Sequence, residues 1–460
     1  MTMNASIVET LDTPIAGTYD VIVAGGGASG LVAAVAAARA GARVALVERA
    51  GCLGGTATSG MVAQYVGMFN DTVRCVGGIG FELTQRIQEA GGSDGFRSYI
   101  MAEASANPVT IINFPFNPEI VKIVADDIIR EAGIDVLLHT RVVRPLLENG
   151  SVHGLVLENV SGRQALRSRM LVDATGDAVI AAGAGVPCVG EEPELRNERQ
   201  PLSLVFRMSN VDVRKFRAIP RDQKRAIALE GLRSGQLAWE SLSFCSTPGD
   251  TDAICLMSRI HGIDALNASS LTRAEQIGRQ QIKKIVAFLR ANVPGFERSV
   301  LAGIAERVGI RETRRIVGRY TLTTEDIVGG RHFDDAIALG AGPMDLHEAG
   351  GTGVDLWMPP APFEIPLACM LPQSLEGVIV TGRAISATRE ANGGARHMGT
   401  AMCLGHAAGA YAALVATGQS DAKNFDVEKL RSLLHSQGAL LSADDARAAT
   451  KQSPVNARPA

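Results

Sequence analysis

The segment from Asp20 to Glu48 constrains this chain more than any other. Asp20-Val-Ile-Val-Ala24 is a short apolar run that suits a buried parallel strand. Gly25-Gly-Gly-Ala-Ser-Gly30 follows, and the alanine-rich Leu31 to Ala40 favours a helix. Gly41 ends that helix, and Arg43 to Val47 forms a second strand that leads into Glu48. The strand, GxGxxG loop, helix, strand and acidic residue together make a dinucleotide-binding βαβ unit. Gly25 permits the tight turn, Gly27 lets the backbone approach a pyrophosphate, and Gly30 lets helix and strand pack closely. The helix N-terminus offers free N–H groups and a positive dipole end to the phosphates. Glu48 would accept hydrogen bonds from a ribose, and its charge argues against the 2′-phosphate of NADP.

This unit alone does not separate FAD from NAD. A second glycine-rich loop, Gly51-Cys-Leu-Gly-Gly-Thr-Ala-Thr-Ser-Gly60, follows Glu48 directly. A long cofactor lying across the sheet edge would need such a second approach; an ordinary surface loop would also account for it. No second strand–GxGxxG–helix unit is visible. Gly77-Gly-Ile-Gly80 and Gly350-Gly-Thr-Gly353 lack the flanking strands and acidic residue.

The remaining chain reads as α/β. Asn117 to Ala132 reads as a helix with Pro118 in its first turn. Val136 to Leu147, Val152 to Val160 and Ala165 to Val172 read as strands of a β-meander. Leu202 to Met208 reads as a further strand, and Arg273 to Val293 as a long amphipathic helix. Gly377 to Val380 returns as a strand and Thr400 to Ala416 as a closing helix. One amphipathic helix is expected after Lys423, with the last dozen residues disordered.

Of the 460 residues, 46% are hydrophobic and 20% charged, a globular balance with ample material for a core. The formal net charge of −3 gives no electrostatic argument for nucleic acid or an anionic membrane. Ala401 to Gly418 is apolar but interrupted by Gly405, His406 and Gly409, so a buried helix is expected in place of a membrane span. The seven cysteines form no CxxC pair, which points to a reduced, cytoplasmic protein without structural zinc or an iron–sulfur cluster. No metal site is expected.

Four stretches together resemble the FAD-dependent oxidoreductases of the glutathione-reductase-like class, and within it the bacterial group related to fumarate reductase and heterodisulfide reductase flavin subunits. They are Val21 to Gly60; Val172-Asp-Ala-Thr-Gly-Asp-Ala178; Gly309 to Tyr320 with Thr324-Glu-Asp326; and Val378 to Ser386 with Arg396 to Met402 and Gly405 to Gly409. The resemblance implies a Rossmann-type FAD-binding domain with a β-meander and an inserted α+β substrate domain. The FAD-binding domain would comprise residues 19–190 and 367–420, the substrate domain 191–366, and a C-terminal helix and tail 421–460. It also implies contacts to FAD. Gly25, Gly27, Ala28, Ser29 and Gly30 would meet the pyrophosphate, with Glu48 and Arg49 at the adenosine side and Val142 or Val143 at the adenine. Gly54, Gly55, Thr56 and Thr58 would approach the ribityl and flavin part. Ala174, Thr175 and Gly176 would line the pyrophosphate, and Gly382 and Arg383 the ribityl chain. Met398, Gly399, Thr400, Ala401 and Met402 would set a helix N-terminus against the flavin, where it would stabilise the charge of the reduced ring.

The expected activity is hydride transfer between a small organic substrate and flavin N5, with an external electron acceptor or donor such as oxygen or a quinone. A flavin monooxygenase, an electron-transfer subunit and a non-redox FAD protein are the alternatives, and homo-oligomerisation is left open. Arg311, Arg314, Arg315 and Arg319 crowd one stretch; one or two can hold a substrate carboxylate, with Arg315 a candidate, or all can pair with Glu312, Glu325, Asp326 and Asp334. His347 is a candidate proton carrier, or a plain buried histidine. Arg396 and His397, just before the flavin-facing helix, are better placed. Cys52 is a candidate for flavin attachment, but a plain small residue is the favoured reading.

Overall fold

The computed structural model describes residues 7–105, 107–192, 199–452 and 457. Its centre is a seven-stranded sheet. The strands run in the order Asp135–Leu137, Val44–Val47, Ile15–Ala24, Gly162–Asp173, Ser151–Asn159, Arg141–Glu148, and Val378–Val380 pairs additionally with Gly162–Asp173. The pairings among the first four and with Val378–Val380 are parallel; the other two, in the meander, are antiparallel. Val21 to Ala24 have no exposed surface, as strands covered on both faces require.

The expected single strand over Val136 to Leu147 is broken. His139 adopts a positive φ of 50°, which ends the parallel strand and starts the meander. The regular strand expected at Leu202 begins instead at Phe206; Leu202 and Ser203 make isolated bridges to Ile260 and Gly309.

Two helices set the cofactor side of the sheet. Ala28–Arg39 is rich in alanine, and Met398–Ala416 carries Gly405 and Gly409 one turn apart. A Cβ on Gly405 would overlap the Ser29 carbonyl, and one on Gly409 the Ala33 carbonyl. Glycine on one side and small residues on the other therefore let the helix backbones touch. The later helix is long and apolar enough to cross a membrane, but 83% of its apolar window is buried inside this molecule.

Residues 206–304 contribute a separate four-stranded antiparallel sheet, ordered Phe244–Ser246, Asp252–Cys255, Phe206–Ser209, Val300–Ile304. The Ala268–Asn292 helix buries Ala274, Gly278, Ile282, Ile285 and Leu289. Its first turn is capped by the Asn267 side chain, which accepts the Ser270 N–H at 3.0 Å.

The tail holds two helices, Val427–Ser436 and Ala443–Gln452, where one was expected. Leu430, Leu434 and Ala446 are buried, and the Thr450 hydroxyl accepts the Arg74 N–H at 2.9 Å. The tail is thus helical as far as Gln452. Of the expected disordered end, 453–456 and 458–460 lie outside the described residues.

Candidate active site

One cavity of about 420 Å³ runs along the ends of the parallel strands. Its first end is built by the glycine loop. Gly25 has a φ of 99°, open to glycine alone without strain, and a Cβ on Gly30 would overlap the Gly25 carbonyl oxygen. A Cβ on Gly27 would meet nothing within 4 Å, so its backbone faces open space where a ligand can approach. Gly27 is the N-cap of the following helix, and no side chain covers that end.

The Glu48 carboxylate, expected at a ribose, is buried and holds two backbone N–H groups. One oxygen accepts the Gly26 N–H at 2.7 Å, and the other accepts the Ala50 N–H at 2.8 Å. It ties the glycine loop to the start of the second loop. That loop returns to the first through Gly54, whose N–H donates to the Gly26 carbonyl at 2.8 Å. The third stretch is anchored by Asp173. It accepts hydrogen bonds from the Thr175 hydroxyl and N–H, and from the Ile180 and Ala181 N–H groups. Ser29 and Thr381 join hydroxyl to hydroxyl at 2.7 Å and link the loop helix to the returning strand.

Three guanidiniums converge on this end. Arg383 donates to Asp177 at 2.7 Å. Burial pushes the Asp177 carboxyl up, but the Arg383 charge, the Arg383 and Thr313 hydrogen bonds and the Arg49 charge outweigh it and hold it low. Arg307 lines the cavity and makes no hydrogen bond or ion pair among the described residues. Burial lowers its pKa, and the neighbouring charges of Arg49 and Arg383 lower it further. Three guanidiniums against the two carboxylates of Asp177 and Glu48 leave a net positive field that suits a diphosphate.

At the other end, Asp345, His347, Arg311, Arg396 and His397 face the cavity together. Arg396 donates to the Asp345 carboxylate at 3.0 Å and to its carbonyl at 2.8 Å. Burial alone would raise the Asp345 carboxyl, but the facing His347 N–H and the charges of Arg396 and Arg311 hold it well below its ordinary range. Arg259 donates to His347 Nδ1, which leaves the imidazole proton on Nε2, 3.4 Å from the Asp345 carboxylate. Burial, and then the Arg311 charge, keep His347 well below the usual histidine range. His347 is therefore a neutral donor. His397 donates from Nε2 to the Pro343 carbonyl at 2.8 Å, which leaves Nδ1 as an acceptor; burial and the Arg396 charge bring it down to about 4.

Trp239 closes the wall edge-to-face against His347 at 5.5 Å, with Arg259 4.7 Å from its ring centre. Gln200 supports the group from behind: its side-chain oxygen accepts from the His347 N–H and from Arg396, each at 3.2 Å. Val205, Leu256, Val308, Ile310 and Leu356 make the remaining wall apolar.

Most of the residues read from the sequence line this cavity: Gly25, Gly27, Ala28, Ser29, Glu48, Arg49, Gly55, Thr56, Val142, Ala174, Thr175, Gly176, Gly382, Arg383, Met398 and Ala401, with His347, Arg396 and His397. Others support it without lining it. Gly30 packs against Gly25, and Gly54 packs against Thr58, whose hydroxyl donates to the Leu53 carbonyl at 2.6 Å. The Gly399 N–H is used by the Val66 carbonyl, Thr400 is fully buried, and Met402 packs on Gly80. Val143 is exposed on the meander.

Arg315 needs correction. It is buried beside Glu312, donates to the Ala387 carbonyl at 3.0 Å and does not line the cavity. Arg314 pairs with Glu191 at 2.8 Å. Of the four crowded arginines, Arg311 is the one that lines the cavity. Cys52 sits near the Thr58 and Ser59 hydroxyls, also away from the lining. Arg307, Arg259, Trp239 and Gln200 escaped the sequence reading, because none stands in a motif.

Residues 20–434 match the family described as FAD dependent oxidoreductase. The chain belongs to that family. It is an FAD-dependent oxidoreductase, and the cradle fits the cofactor: open backbone at Gly27, a buried carboxylate at Glu48 and an excess of arginines beside them. The chain is 28% identical over 212 residues to a digeranylgeranylglycerophospholipid reductase of Methanoculleus marisnigri, covering 42% of this chain and 47% of that protein. It is 29% identical over 174 residues to the protein of that name from Methanosphaerula palustris, covering 34% and 38%. The chain spans less than half the length of these relatives. Among solved structures, a geranylgeranyl bacteriochlorophyll reductase-like protein of Thermoplasma acidophilum aligns with a TM-score of 0.45 and 16% identity, over 96% of this chain and 89% of that one.

Proposed function

We propose that this enzyme transfers a hydride between FAD and a small organic substrate that carries an anionic group and a mostly apolar body. The observation that carries the proposal is Arg311. Its Nη1 is held by the Pro201 carbonyl and the Ser203 hydroxyl, and the rest of the guanidinium has no partner among the described residues while it faces the cavity. Burial lowers it to about 10, so it stays charged at neutral pH. Glu348 acts on Arg259 and Glu312 on Arg311 from outside the lining, but among the residues that line this end Arg311 and Arg396 face the one carboxylate of Asp345, and that excess positive charge favours a substrate anion.

Bound FAD supplies the two-electron chemistry. The chain's own residues do the rest. Gly25, Gly27, Ala28, Ser29, Glu48, Arg49, Ala174 to Gly176, Arg307, Gly382 and Arg383 hold the cofactor. The N-terminus of Met398–Ala416, with Met398 and Ala401 in the lining, would present its positive end to the flavin. Arg396 and Asp345 fix one another and orient His347, which offers its Nε2 proton as a hydrogen-bond donor. His397, neutral with a free Nδ1, accepts the proton that the substrate loses on desaturation and returns it in the reverse, reducing direction. The apolar wall excludes water from the transfer.

Reduction or desaturation of a C–C bond is the favoured reaction, supported by the apolar lining and by the reductase names of the relatives. The absence of a second nucleotide-binding unit among the described residues supports an external electron partner. The order in which the four stretches return to the cofactor supports the glutathione-reductase-like class and the fumarate reductase-related group. It also supports the division at 190/191 and 366/367. Seven free thiols favour a cytoplasmic setting. The test is anaerobic titration of the holoenzyme with a panel of carboxylic acids and their amides, read by bleaching of the flavin's visible absorbance. Acids should bleach it and amides should not, and Arg311→Gln should raise the half-saturating acid concentration about 10- to 100-fold. Equal bleaching by acids and amides overturns the reading.

A further inference from the structure

We propose that the substrate site continues past the cofactor cavity into a second chamber that takes an uncharged, apolar extension of the substrate. This rests on the reading above that the first cavity holds the reacting part. The chamber measures about 300 Å³ and lies between the strands Arg97–Met101 and Phe244–Ser246. It shares Tyr99 and Ser243 with the cofactor cavity, so these two residues wall both spaces. Turning the Tyr99 ring joins the two volumes.

The lining says what the chamber accepts. Its cations are already neutralised. Lys224 donates to both Glu103 carboxylate oxygens at 2.9 and 3.0 Å, Arg217 to Asp250 at 2.8 Å, and Arg97 to Asp94 at 2.8 Å. None offers an uncommitted charge of the kind Arg311 offers in the first cavity. The wall between them is led by Phe216 and Phe244, which meet edge-to-face at 4.7 Å beside Leu242 and Ile100, with Ser98, Asn113 and Ser246 as its uncharged polar members. A balanced rim over an aromatic wall selects against a second anion and for an alkyl or aryl group. The substrate class is then an acid with an extended apolar body, its charge at Arg311 and its far end beyond Tyr99.

The experiment titrates the FAD-loaded enzyme with straight-chain alkanoates of increasing length and with the matching alkanols, read by the perturbation of the flavin spectrum. Each methylene entering an apolar wall should tighten binding about fourfold. Ser98 lines the second chamber and not the first, and it stands on a strand that tolerates a large aromatic residue. In Ser98→Trp the gain per methylene should stop at an intermediate length, while short-chain and FAD binding stay unchanged; in the unaltered enzyme it should continue. Tyr99→Ala gives the opposite sign, tightening long chains relative to short ones at least fourfold. Identical length dependence in the unaltered enzyme and both variants overturns the chamber, as does failure of both series to bind at any length. Arg311→Gln separates the two readings: it should weaken alkanoates and spare alkanols. If alkanoates are unaffected, the anion reading fails, and the alkanol series alone decides the chamber.

Discussion

Glu48 holds two loops with one carboxylate, and replacing it with glutamine tests that arrangement. The glutamine side chain has nearly the same shape but one acceptor oxygen. If that oxygen keeps the Gly26 N–H, the amide NH2 is set against the Ala50 N–H, which Glu48 accepts at 2.8 Å, and donor faces donor. The site is only 5% exposed, so water does not repair the mismatch. A hydrogen bond to a charged group contributes about 1.5–3 kcal/mol, and a buried unsatisfied donor costs about 1–3 kcal/mol. The variant should therefore lose about 2–4 kcal/mol of apoprotein stability, measured by denaturant unfolding without FAD. Because the same shift loosens the Gly25–Gly30 loop, FAD binding followed by flavin fluorescence should weaken by at least about 30-fold, the equivalent of about 2 kcal/mol. Two results refute the reasoning. Apoprotein stability within about 0.5 kcal/mol of the unaltered enzyme means the carboxylate does not clamp the loops. Weakened FAD binding with unchanged stability reduces Glu48 to a ribose contact.

Arg307→Gln should weaken FAD binding about 10- to 100-fold and lessen its salt dependence, yet leave the apoprotein equally or more stable, since Arg307 sits against the like charges of Arg49 and Arg383. A destabilised apoprotein with unchanged FAD affinity would show that Arg307 has a packing role instead. Acid should destabilise the fold unusually early. His397 and His406 are buried neutral, both brought down to about 4 by burial. The unfolded chain takes up their protons near pH 6.5, so stability is full above that value and falls as the pH drops toward 4. Each should account for about 2 kcal/mol by pH 5, with His347 acting in the same direction. Asp345 adds its loss only below about pH 4. Unfolding midpoints that coincide at pH 7 and pH 5 would contradict this.

The cofactor end was legible in the sequence because its geometry is local. A turn at Gly25, a close approach at Gly30 and a carboxylate at the end of the next strand are separated by short, regular elements, so residue type and spacing fix their positions. Legibility fades where a loop changes direction. Gly55–Ala57 forms a turn of 3-10 helix, which brings Gly55 and Thr56 to the cavity and turns Gly54 and Thr58 onto each other. The arginine stretch shows the same limit. A strand-like alternation could send Arg311 or Arg315 to the substrate, but Arg315–Ile316 pairs with Cys188–Val189, and Arg311 precedes that pairing in irregular backbone. The substrate end is assembled from Gln200, Trp239, Arg259, Asp345 and Arg396, which reach one another only through the packing of separate sheets and turns. Arg259 illustrates the reason. It lies just past the strand Asp252–Cys255 and is fixed by the carbonyls of Gly351 and Gly353 and by His347, about ninety positions away. Nothing near Arg259 in the chain encodes that partner. Its role follows from the turn at Gly350–Gly353, which a sequence reading can place only as a glycine-rich loop. The charge balance of this end is therefore a tertiary property: Arg311 and Arg396, from two distant segments, face Asp345 in the cavity.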